Sequence, residues 1–386
     1  MHILQVTPYF PPTWAYGGIP RIVDGLSRAL VARGHQVTVL TTDALDARDR
    51  ADVPEDRDHH GVRVLTARNL SNELAYTHQL FLPRKVGALL DQLDDRVDVI
   101  HLHGHRHLLN NVARRWGDAR GIPYVLTANG TLLRHERKVG IKWLWDRVVS
   151  GAIPQGASRL IAVSAADVAR HRSAGIAADR IVRIPNGLDL GEFGQLPERG
   201  AFKAKHGLGD GPVVTYLGRV SPRKGVDHLV RAFADRALAP AVLVVAGNDM
   251  GALAQAQAVA PDGVHFVGLV AGQERLSLLA DTDVLVYPSA DEVFGLVPFD
   301  GVLCGAPVVV SDDCGWGELI AEAGAGLLAR YGDVAGLQAR IRTLIDDASA
   351  GAAMVARGRR YVSERLSFER VSAQHEALYN QVLEVR

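Results

Sequence analysis

Short apolar runs recur along the chain, and segments with helical periodicity separate them. The first run, HILQVT, leads into a loop rich in Pro and Gly. Apolar residues then lie at helical spacing: Ile19, Ile22, Val23, Leu26, Ala29 and Leu30. Gly34 is predicted to end this helix, and the run QVTVLT follows it. Apolar strands joined by helices are typical of βαβ units in a parallel sheet, so the pattern limits the chain to an α/β fold.

The same alternation continues and then starts again near the middle of the chain. The later runs are VDVIHLH, IPYVLTA and RLIAVS, followed by PVVTYLGRV, AVLVVAG, GVHFVG, DVLVYPS, APVVVS and GLLA. A chain of 386 residues exceeds what one hydrophobic core usually supports. We therefore predict two Rossmann-like, doubly wound α/β domains, 1–188 and 189–365, joined near IPNGLDLGEF. Residues 333–386 are predicted to contain helices only.

Residues 46–60, DARDRADVPEDRDHH, break this alternation. The stretch is densely charged and shows neither helical nor strand periodicity. A segment of this composition has too little apolar surface to fix a structure of its own. We predict a mobile loop here.

Composition and cysteine usage indicate the class of protein. Hydrophobic residues make up 47% of the chain and charged residues 22%, which is ordinary for a soluble globular protein. Cys304 and Cys314 cannot build a disulfide framework, and no Cys/His cluster has the spacing of a zinc site. The first residues lack the features of a signal peptide, and the apolar runs are too short to span a bilayer. We expect a cytoplasmic protein, with peripheral association at the inner face of the membrane as the alternative.

Charge is distributed unevenly, although the net charge is zero. Residues 1–188 carry 25 Lys and Arg against 18 Asp and Glu, a net charge of +7, and the remaining residues carry −7. The basic half suggests an anionic partner, either a membrane or a phosphorylated acceptor. Residues 134–149, RHERKVGIKWLWDRVV, combine five Lys and Arg with Trp143 and Trp145. Such a helix can lie on anionic lipid, but a core helix with a solvated basic face is the favoured interpretation.

The stretch DEVFGLVPFDG (291–301) places Glu292 and Asp300 on either side of a predicted strand-to-helix junction. The preceding run DVLVYPS is a predicted strand, and Pro298 fits only the first turn of the helix. Backbone N–H groups at a helix start can bind an anion, and Gly295 lets a phosphate approach closely. Alone, this pattern fits a ligand site and an ordinary acidic helix start equally well.

A second junction, LGRVSPRKG (217–225), also follows a predicted strand and precedes a helix. It places Arg219 and Lys224 five residues apart around glycines and a proline. An Arg fork and a Lys point charge beside a helix start suit a diphosphate. Open α/β sheets bind their ligands at this edge. Together, the two junctions indicate a nucleoside diphosphate that carries a polyol.

With these motifs in this order, the chain resembles the group 1 (family 4) retaining glycosyltransferases of the GT-B architecture over nearly its whole length. The matching stretches are YFPPTWAYGG, ARGHQVTVLTT, DVIHLH, IPNGLD, LGRVSPRKG and VYPSADEVFGLVPFDGVLCGAPVVVSDDCGWGELI. The resemblance implies two Rossmann-like domains that face each other across a cleft, with a C-terminal helix, 366–386, crossing back to the N-terminal domain. It implies donor-sugar binding by the C-terminal domain and acceptor binding by the N-terminal one.

The resemblance also implies roles for individual residues. Arg219 and Lys224 would hold the diphosphate, and Glu292 would meet the hydroxyls of the sugar that is transferred. The first loop would approach the phosphates through its glycines. The implied catalytic residues are Glu292, Arg219, Lys224 and Asn129. The implied donor-binding residues are Gly17, Gly18, Gly218, Phe294, Gly295, Leu296 and Asp300, with His103 and Asn186 lining the cleft.

Two positions depart from the family pattern. Asp300 stands where the family has the second Glu of a Glu-x7-Glu motif that binds the ribose, and it keeps the charge with one methylene less. Asn129, in YVLTANGTL, stands where the family usually has a His over the transferred sugar. Asn keeps a hydrogen-bond donor and an acceptor but cannot titrate. We therefore expect Asn129 to orient the sugar without acid–base work.

Two short patterns resemble metal ligands, but neither is interpreted as a metal site. His101 and His103 lie two apart on a predicted strand and share a face, yet no third ligand is near in the sequence. The stretch DTD (281–283) lies between a helix end and a strand, where Asp283 is more simply a structural cap. No metal and no cofactor are predicted.

The sequence thus predicts a retaining, metal-independent glycosyltransferase for cell-surface polysaccharide or glycoconjugate synthesis. Its donor would be a UDP- or GDP-linked sugar, and its acceptor a hydroxyl on a lipid-linked or small molecule; no nucleic-acid partner is predicted. A dinucleotide-dependent oxidoreductase is disfavoured because the first loop lacks G-x-G-x-x-G. A non-hydrolysing sugar-nucleotide epimerase and a catalytically degraded sugar-nucleotide binder are the alternatives.

Overall fold

The computed structural model describes five stretches of the chain, which divide into two units. The described residues are 1–93, 97–132, 151–290, 292–313 and 315–384. Unit 1 comprises Met1–Leu188 and Leu366–Arg386, and unit 2 comprises Asp189–Arg365. Across the described stretches, no helix combines the length and the apolar character needed to cross a membrane.

The described part of unit 1 contains an eight-stranded sheet with helices on its faces. The strands are β1 (His2–Val6), β2 (Gln36–Thr42), β3 (Asp56–His59), β4 (Val62–Ala67), β5 (Val99–His103), β6 (Tyr124–Thr127), β7 (Arg159–Ala162) and β8 (Ile181–Arg183). The helices are α1 (Ile19–Ala32), α2 (Asn72–His78), α3 (Val86–Leu90), α4 (Leu108–Asp118), α5 (Ala152–Gly156) and α6 (Ala165–Ser173). The strand order is β3-β4-β2-β1-β5-β6-β7-β8, and all neighbours are parallel except β3 and β4.

The prediction of a mobile loop over residues 46–60 is wrong for its last part, which forms β3. Arg57 of this strand donates a hydrogen bond to the carbonyl oxygen of Pro11 at 2.6 Å. The Nε2 atom of His59 lies 3.0 Å from Oδ1 of Asp24. Polar contacts with residues far away in the sequence therefore hold this edge strand in place, and apolar periodicity does not reveal such contacts.

Unit 2 contains a six-stranded sheet in which all neighbouring strands are parallel. Its strands are β9 (Val213–Leu217), β10 (Val242–Ala246), β11 (Val264–Gly268), β12 (Val284–Tyr287), β13 (Val308–Ser311) and β14 (Gly326–Ala329). Its helices are α7 (Ala201–His206), α8 (Val226–Arg231), α9 (Leu253–Ala258), α10 (Gly272–Asp281), α11 (Val297–Cys304), α12 (Gly315–Ala323), α13 (Val334–Asp346) and α14 (Ala348–Tyr361). In the order β11-β10-β9-β12-β13-β14, successive strands are added on one side from β9 to β11 and on the other side from β12 to β14. The strand order therefore changes direction between β9 and β12, although these two strands are parallel. Every residue of β9, β12 and β13 is buried, as expected for a sheet covered on both faces.

The last helix of the chain, α15 (Phe368–Glu384), returns to unit 1. Its buried side chains Val371, Leu378 and Tyr379 join the same hydrophobic cluster as residues of β1, β2 and β5. A Cβ atom on Gly25 of α1 would overlap the ring of Phe368, so the two helices pack closely because position 25 has no side chain. The predicted crossing of the C-terminal helix to the N-terminal domain is confirmed.

The structure confirms the two parallel α/β domains and each apolar run that was predicted as a strand. Gly34 lies just beyond the end of α1 with φ of +86°, the conformation expected after a helix terminus. Residues 333–384 form two α-helices, a π-helical turn at Val362–Leu366 and a third α-helix. The pattern analysis missed β3, β4 and β8, of which β8 is short and only partly buried.

Candidate active site

Two loops leave the sheet of unit 2 at the point where its strand order reverses. They follow β9 and β12, which are parallel neighbours, and their described residues are 218–225, 288–290 and 292–296. The N–H of Ala290 in the second loop donates to the carbonyl oxygen of Arg223 in the first at 2.9 Å. The structure therefore brings the two predicted ligand loops together at the edge where open α/β sheets bind ligands.

The backbone of the first loop depends on its glycines. Gly225 has φ of +63°, and a Cβ atom there would overlap the carbonyl oxygen of Pro288 in the neighbouring loop. At the other end, the hydroxyl of Tyr216 donates to the carbonyl oxygen of Arg219 at 2.7 Å. The side chain of Arg219 is exposed. This loop thus fixes the backbone of Arg219 while leaving its guanidinium accessible.

Lys224 and Glu292 form a largely buried ion pair that joins the two loops, with side chains 8% and 20% exposed. The ammonium of Lys224, a residue only 6% exposed, contacts Oε1 of Glu292. It also donates to the hydroxyl of Tyr287 at 2.7 Å and lies 4.8 Å from the centre of that ring. Tyr287 is the last residue of β12, so the sheet itself orients the pair.

Both members of this pair titrate away from their ordinary range. Burial lowers the pKa of Lys224, and the negative charge of Glu292 opposes that shift. Burial alone would raise the pKa of Glu292, but the charge and hydrogen bond of Lys224 outweigh it and hold the pKa below its usual value. Glu292 is therefore ionised at neutral pH, and each charge supports the other.

The space over Gly295 is bounded by polar atoms. A Cβ atom placed on Gly295 would lie 2.9 Å from Nε1 of Trp316, 3.1 Å from the hydroxyl of Tyr287 and 3.4 Å from Oε2 of Glu292. Nε1 of Trp316 and Oε2 of Glu292 are both buried, and neither has a hydrogen-bond partner among the described residues. We call this space the Gly295 niche.

Helix α11 starts where the second loop ends. It begins at Val297 with Pro298 in its first turn, as predicted. Leu296 is buried, and the ring of Phe294 packs on Trp316 with 4.4 Å between centroids. The first N–H groups of a helix have no acceptor within the helix, so this start offers hydrogen-bond donors beside the Lys224–Glu292 pair.

Asp300 lies on α11 and is only 1% exposed, so the interpretation of an exposed helix acid is wrong. Its Oδ2 atom forms an ion pair with Nη1 of Arg275 at 2.9 Å. Arg275 also pairs with Glu192 and packs over the ring of Phe193. The predicted ribose ligand is therefore held by a partly buried cation from α10.

The sequence analysis missed several residues of this site: Glu192, Arg275, Tyr287 and Trp316. Their contacts join positions far apart in the chain, such as 25 residues between Arg275 and Asp300 and 63 between Lys224 and Tyr287. Tyr287 stood at the end of a predicted strand next to a ligand loop, and this position was the one available signal. The others could not be found by local spacing.

Three of the predicted residues of unit 1 lie near the start of α1 or in the turn after β6. Gly17 has φ of +97°, and Gly18 caps the N-terminus of α1. Asn129 lies two residues beyond the buried end of β6 and has φ of +50°. Asn is one of the few residues other than Gly that adopt this left-handed conformation readily, which suits the residue to this position.

His103 and Asn186 are both buried in unit 1 and line one small internal cavity. Nε2 of His103 lies 2.7 Å from Oε1 of Gln5, and burial lowers the pKa of His103 to about 3. The ring of His101 lies 4.1 Å from that of His103, which confirms that the two histidines share a face of β5. Both are therefore buried, neutral histidines in this structure.

The described stretches contain no cluster of three or more His, Cys, Asp or Glu residues that could hold a metal ion. Asp283 accepts a hydrogen bond from the N–H of Val213 at 2.7 Å, and Asp281 accepts one from Lys203 at 2.8 Å. These contacts confirm the structural interpretation of the DTD stretch. The predicted basic and aromatic helix, 134–149, lies outside the described residues.

Comparisons with known proteins cover both units. A family model described as "Glycosyl transferases group 1" matches residues 198–361, and "Glycosyltransferase Family 4" matches residues 16–192. Glycogen synthase of Mycobacterium tuberculosis is 28% identical over 373 residues, which cover 91% of this chain and 87% of the relative.

Solved structures share the fold of the whole chain. Sucrose-phosphate synthase from Thermosynechococcus elongatus has a TM-score of 0.77 with 24% identity, covering 100% of both chains. Anabaena HepE, solved in complex with UDP-glucose, has a TM-score of 0.76 with 22% identity, covering 98% of this chain and 100% of HepE. The two family matches agree with the two parallel α/β domains and with the Lys and Glu pair where the strand order of unit 2 reverses. This chain belongs to the group 1 glycosyltransferases and has the GT-B fold.

Proposed function

We propose that this glycosyltransferase moves a sugar from a nucleoside diphosphate to an acceptor hydroxyl, with retention of the anomeric configuration and without a metal ion. The observation that carries the proposal is the buried Lys224–Glu292 pair beside the start of α11. Replacing a buried ion pair by apolar residues is often neutral or stabilising, so stability alone does not account for the pair. A cation and a carboxylate at this edge suit a phosphate and a sugar hydroxyl respectively.

The diphosphate is assigned to the positive side of the site. Lys224 and Arg219 lie on one loop, and the first N–H groups of α11, near Gly295 and Leu296, lie beside it. Fixed cations and helix amides stabilise the negative charge that grows on the leaving diphosphate. In many other enzymes a bound metal ion performs this task, which is why we propose that none is needed here.

The sugar and the ribose are assigned to the two carboxylates. Glu292 is ionised, and its Oε2 atom has no protein partner among the described residues, so it can accept from a hydroxyl of the transferred sugar. Asp300, fixed by Arg275, is assigned to the ribose hydroxyls. Gly218 and Phe294 complete the proposed lining of the donor site.

The arrangement favours attack on the face that the diphosphate leaves. Glu292 and Asp300 are each paired with a cation, so neither is well placed to act as a covalent nucleophile. The bond from the anomeric carbon to the diphosphate oxygen breaks, and a bond to the acceptor oxygen forms on the same face. The acceptor proton passes to the departing phosphate. The protein contributes position and charge stabilisation.

The substrates are proposed by class. HepE was solved with UDP-glucose, which supports a UDP-linked hexose as the first donor to test, with a GDP-linked sugar as the alternative. The name of the glycogen synthase relative supports a carbohydrate acceptor in polysaccharide or glycoconjugate synthesis. Unit 1 is assigned to the acceptor and unit 2 to the donor. The roles of Gly17, Gly18 and Asn129 stay predictions from the family resemblance.

The test is a product assay with a panel of UDP- and GDP-linked sugars, each with and without oligosaccharide, lipid-linked and small-molecule acceptors. Transfer that requires an acceptor, persists in a chelator and gives a product of retained configuration by proton NMR supports the proposal. Interconversion of the donor without an acceptor would indicate an epimerase. Tight binding without turnover on any acceptor would indicate a degraded binder.

A further inference from the structure

The Gly295 niche contains two buried polar atoms that have no partner and opposite hydrogen-bonding needs. The indole N–H of Trp316 can only donate, and the carboxylate atom Oε2 of Glu292 can only accept. Trp316 is 0% exposed, so its N–H cannot be satisfied by bulk water. Leaving either group unpaired in the interior is unfavourable, and together they call for a shared partner.

The distances define the size of that partner. The three polar atoms around the niche lie 2.9–3.4 Å from the point where a Cβ atom of residue 295 would stand. Both orphaned atoms therefore lie beside the backbone of Gly295, where one bridging oxygen atom could reach the two of them. A Cβ atom on residue 295 would already crowd Nε1 of Trp316, so a shared partner is possible only because residue 295 has no side chain. The partner must therefore be small.

The chemistry of the partner follows from the donors and acceptors. Tyr287 accepts from Lys224 and is itself hydrogen-bonded to Glu292, so its hydroxyl belongs to the ion pair and is not counted among the unpaired groups. A hydroxyl oxygen can accept from Trp316 and donate its hydrogen to Glu292. A carbonyl oxygen could not donate to the carboxylate, and an ammonium or amide N–H would face the indole N–H. Among single small groups, a water molecule or an alcohol satisfies both orphaned atoms.

We propose that the Gly295 niche binds one hydroxyl-type oxygen, and that Trp316 is a specificity-determining residue for a free hydroxyl on the transferred sugar. In the free protein, a water molecule occupies the niche. On donor binding, a sugar hydroxyl takes its place and joins Trp316 to Glu292. This inference deepens the proposed function and rests on it for the sugar, but not for the water. It disfavours a donor with an amino or N-acetyl group at the hydroxyl concerned.

The first experiment observes the indole N–H directly by NMR on the 15N-labelled full chain. The chain has five tryptophans, and the signal missing in Trp316→Phe identifies Trp316. We expect a hydrogen-bonded, slowly exchanging indole signal in the free protein. We expect it to move with UDP-glucose or GDP-mannose, and not with UDP or GDP alone. A signal typical of an unbonded indole N–H, both free and with the sugar nucleotide, would overturn the proposal.

The second experiment separates water from a sugar hydroxyl by calorimetry with deoxy donors. If a sugar hydroxyl occupies the niche, one deoxy form of the donor should bind about tenfold more weakly to the wild type, and this difference should be smaller in Trp316→Phe, where only the bond to Glu292 is lost. If water stays in the niche, Trp316→Phe should weaken every donor about equally. Wild-type affinity of Trp316→Phe for every donor would overturn the proposal. If that variant does not fold, the wild-type deoxy series still tests the proposal, and equal affinity of the wild type for every deoxy form would overturn it.

Phe299→Leu is the matched control. Phe299 packs on the Trp316 ring with 5.0 Å between centroids and has no polar atom. It should lower stability while leaving the discrimination among deoxy donors within twofold of the wild type. The NMR measurement on the free protein needs no donor. If the chain binds no sugar nucleotide, the proposed function is overturned, but this measurement still shows whether Trp316 is hydrogen-bonded to water.

Discussion

Both units bury clusters of polar side chains, but the cluster in unit 1 is neutral and the cluster in unit 2 is charged. In unit 1, His101 and His103 stack against each other, and His375 of α15 lies 5.5 Å from His101. Burial lowers the pKa of His103 to about 3 and that of His375 to about 4, so the cluster is neutral. In unit 2, the two carboxylates of the candidate site are held in ion pairs, Glu292 with Lys224 and Asp300 with Arg275.

The difference separates packing from ligand binding. In unit 1, His101 is hydrogen-bonded to Tyr379 and Thr127, and His103 to Gln5. These partners are neutral, so the histidine cluster carries no charge. The pairs of unit 2 keep full charges at the edge of the sheet, where a charged ligand can use them. Neutral networks stabilise a core, whereas fixed charges prepare a site before the ligand arrives.

The largest expected effect follows from breaking the charged pair. Lys224→Ala leaves Glu292 buried without its cation, which should lower the free energy of unfolding by about 3–5 kcal/mol. Nucleoside-diphosphate binding should weaken by about 2–4 kcal/mol. Urea unfolding and calorimetry with UDP and GDP measure the two effects. Arg219→Ala should weaken binding with little change in stability, because its side chain is exposed.

Lys205→Ala is the control for this prediction. Lys205 forms an exposed pair with Glu274 on the surface of the same unit, and exposed pairs contribute little. If Lys224→Ala unfolded like Lys205→Ala and bound nucleotide normally, the buried pair would have no special role. The double variant Lys224→Met, Glu292→Gln should regain stability but not binding.

The next prediction asks whether the neutral polar groups of unit 1 take part in turnover. Asn129→Ala should reduce turnover by about one to three powers of ten if its side chain positions the sugar. Asn129→His should add a pH dependence near pH 6–7, because His titrates there and Asn does not. Rates on the true donor and acceptor from pH 5 to 9 measure both.

Backbone strain must be separated from the side chain at this position. Asn129 has φ of +50°, where Ala is disfavoured by about 1–2 kcal/mol and Gly is not. Asn129→Gly keeps the backbone unstrained and removes the side chain. Wild-type turnover by Asn129→Gly would show that the side chain does not act in catalysis.

The third prediction sharpens the comparison through pH. In the folded protein, His103 and His375 have pKa values below the ordinary 6.5. As the pH falls, these histidines are therefore protonated in the unfolded chain before they are protonated in the folded one. Their stabilisation is complete above about pH 6.5 and is lost as the pH falls towards 4, by about 1.4 kcal/mol per pH unit for each histidine. Between pH 6.5 and 5.5, unit 1 should lose about 2–3 kcal/mol.

Unit 2 is the internal control for this pH effect. The pKa of Glu292 is held below its ordinary value of 4.5, so that carboxylate stays ionised over the same interval and its pairing persists. Pulse proteolysis with peptides assigned to each unit, at pH 6.5 and 5.5, measures the two stabilities. His375→Gln should reduce the pH dependence of unit 1. Equal losses in both units would contradict the comparison.

The smallest expected effect concerns the second ion pair. Asp300→Asn keeps the size but loses the charge, so affinity for UDP or GDP should fall about tenfold. Asp300→Glu restores the residue usual in the family, but it adds a methylene at a position only 1% exposed. We expect overpacking to destabilise this variant by about 1–3 kcal/mol. Normal nucleotide binding by Asp300→Asn would remove the ribose assignment.

Local sequence patterns determined much of the fold and little of the electrostatics. Parallel strands are continuous apolar runs, so their positions could be read directly, and the two ligand loops followed from the strand ends. β3 was missed because Arg57 fixes it to a carbonyl oxygen 46 residues away. The clamp of Arg275 on Asp300 and the indole of Trp316 were missed for the same reason: each depends on which helices become neighbours.

The close contact of Phe368 with Gly25 has a consequence for the order in which the protein is made. Leu188 and Leu366 are hydrogen-bonded neighbours, although all of unit 2 separates them in the chain. A ribosome therefore completes unit 2 before it releases the helix that covers the apolar surface of α1 and β1. Until then, unit 1 exposes that surface to chaperones and to other nascent chains, while unit 2 already has its whole sequence available for folding.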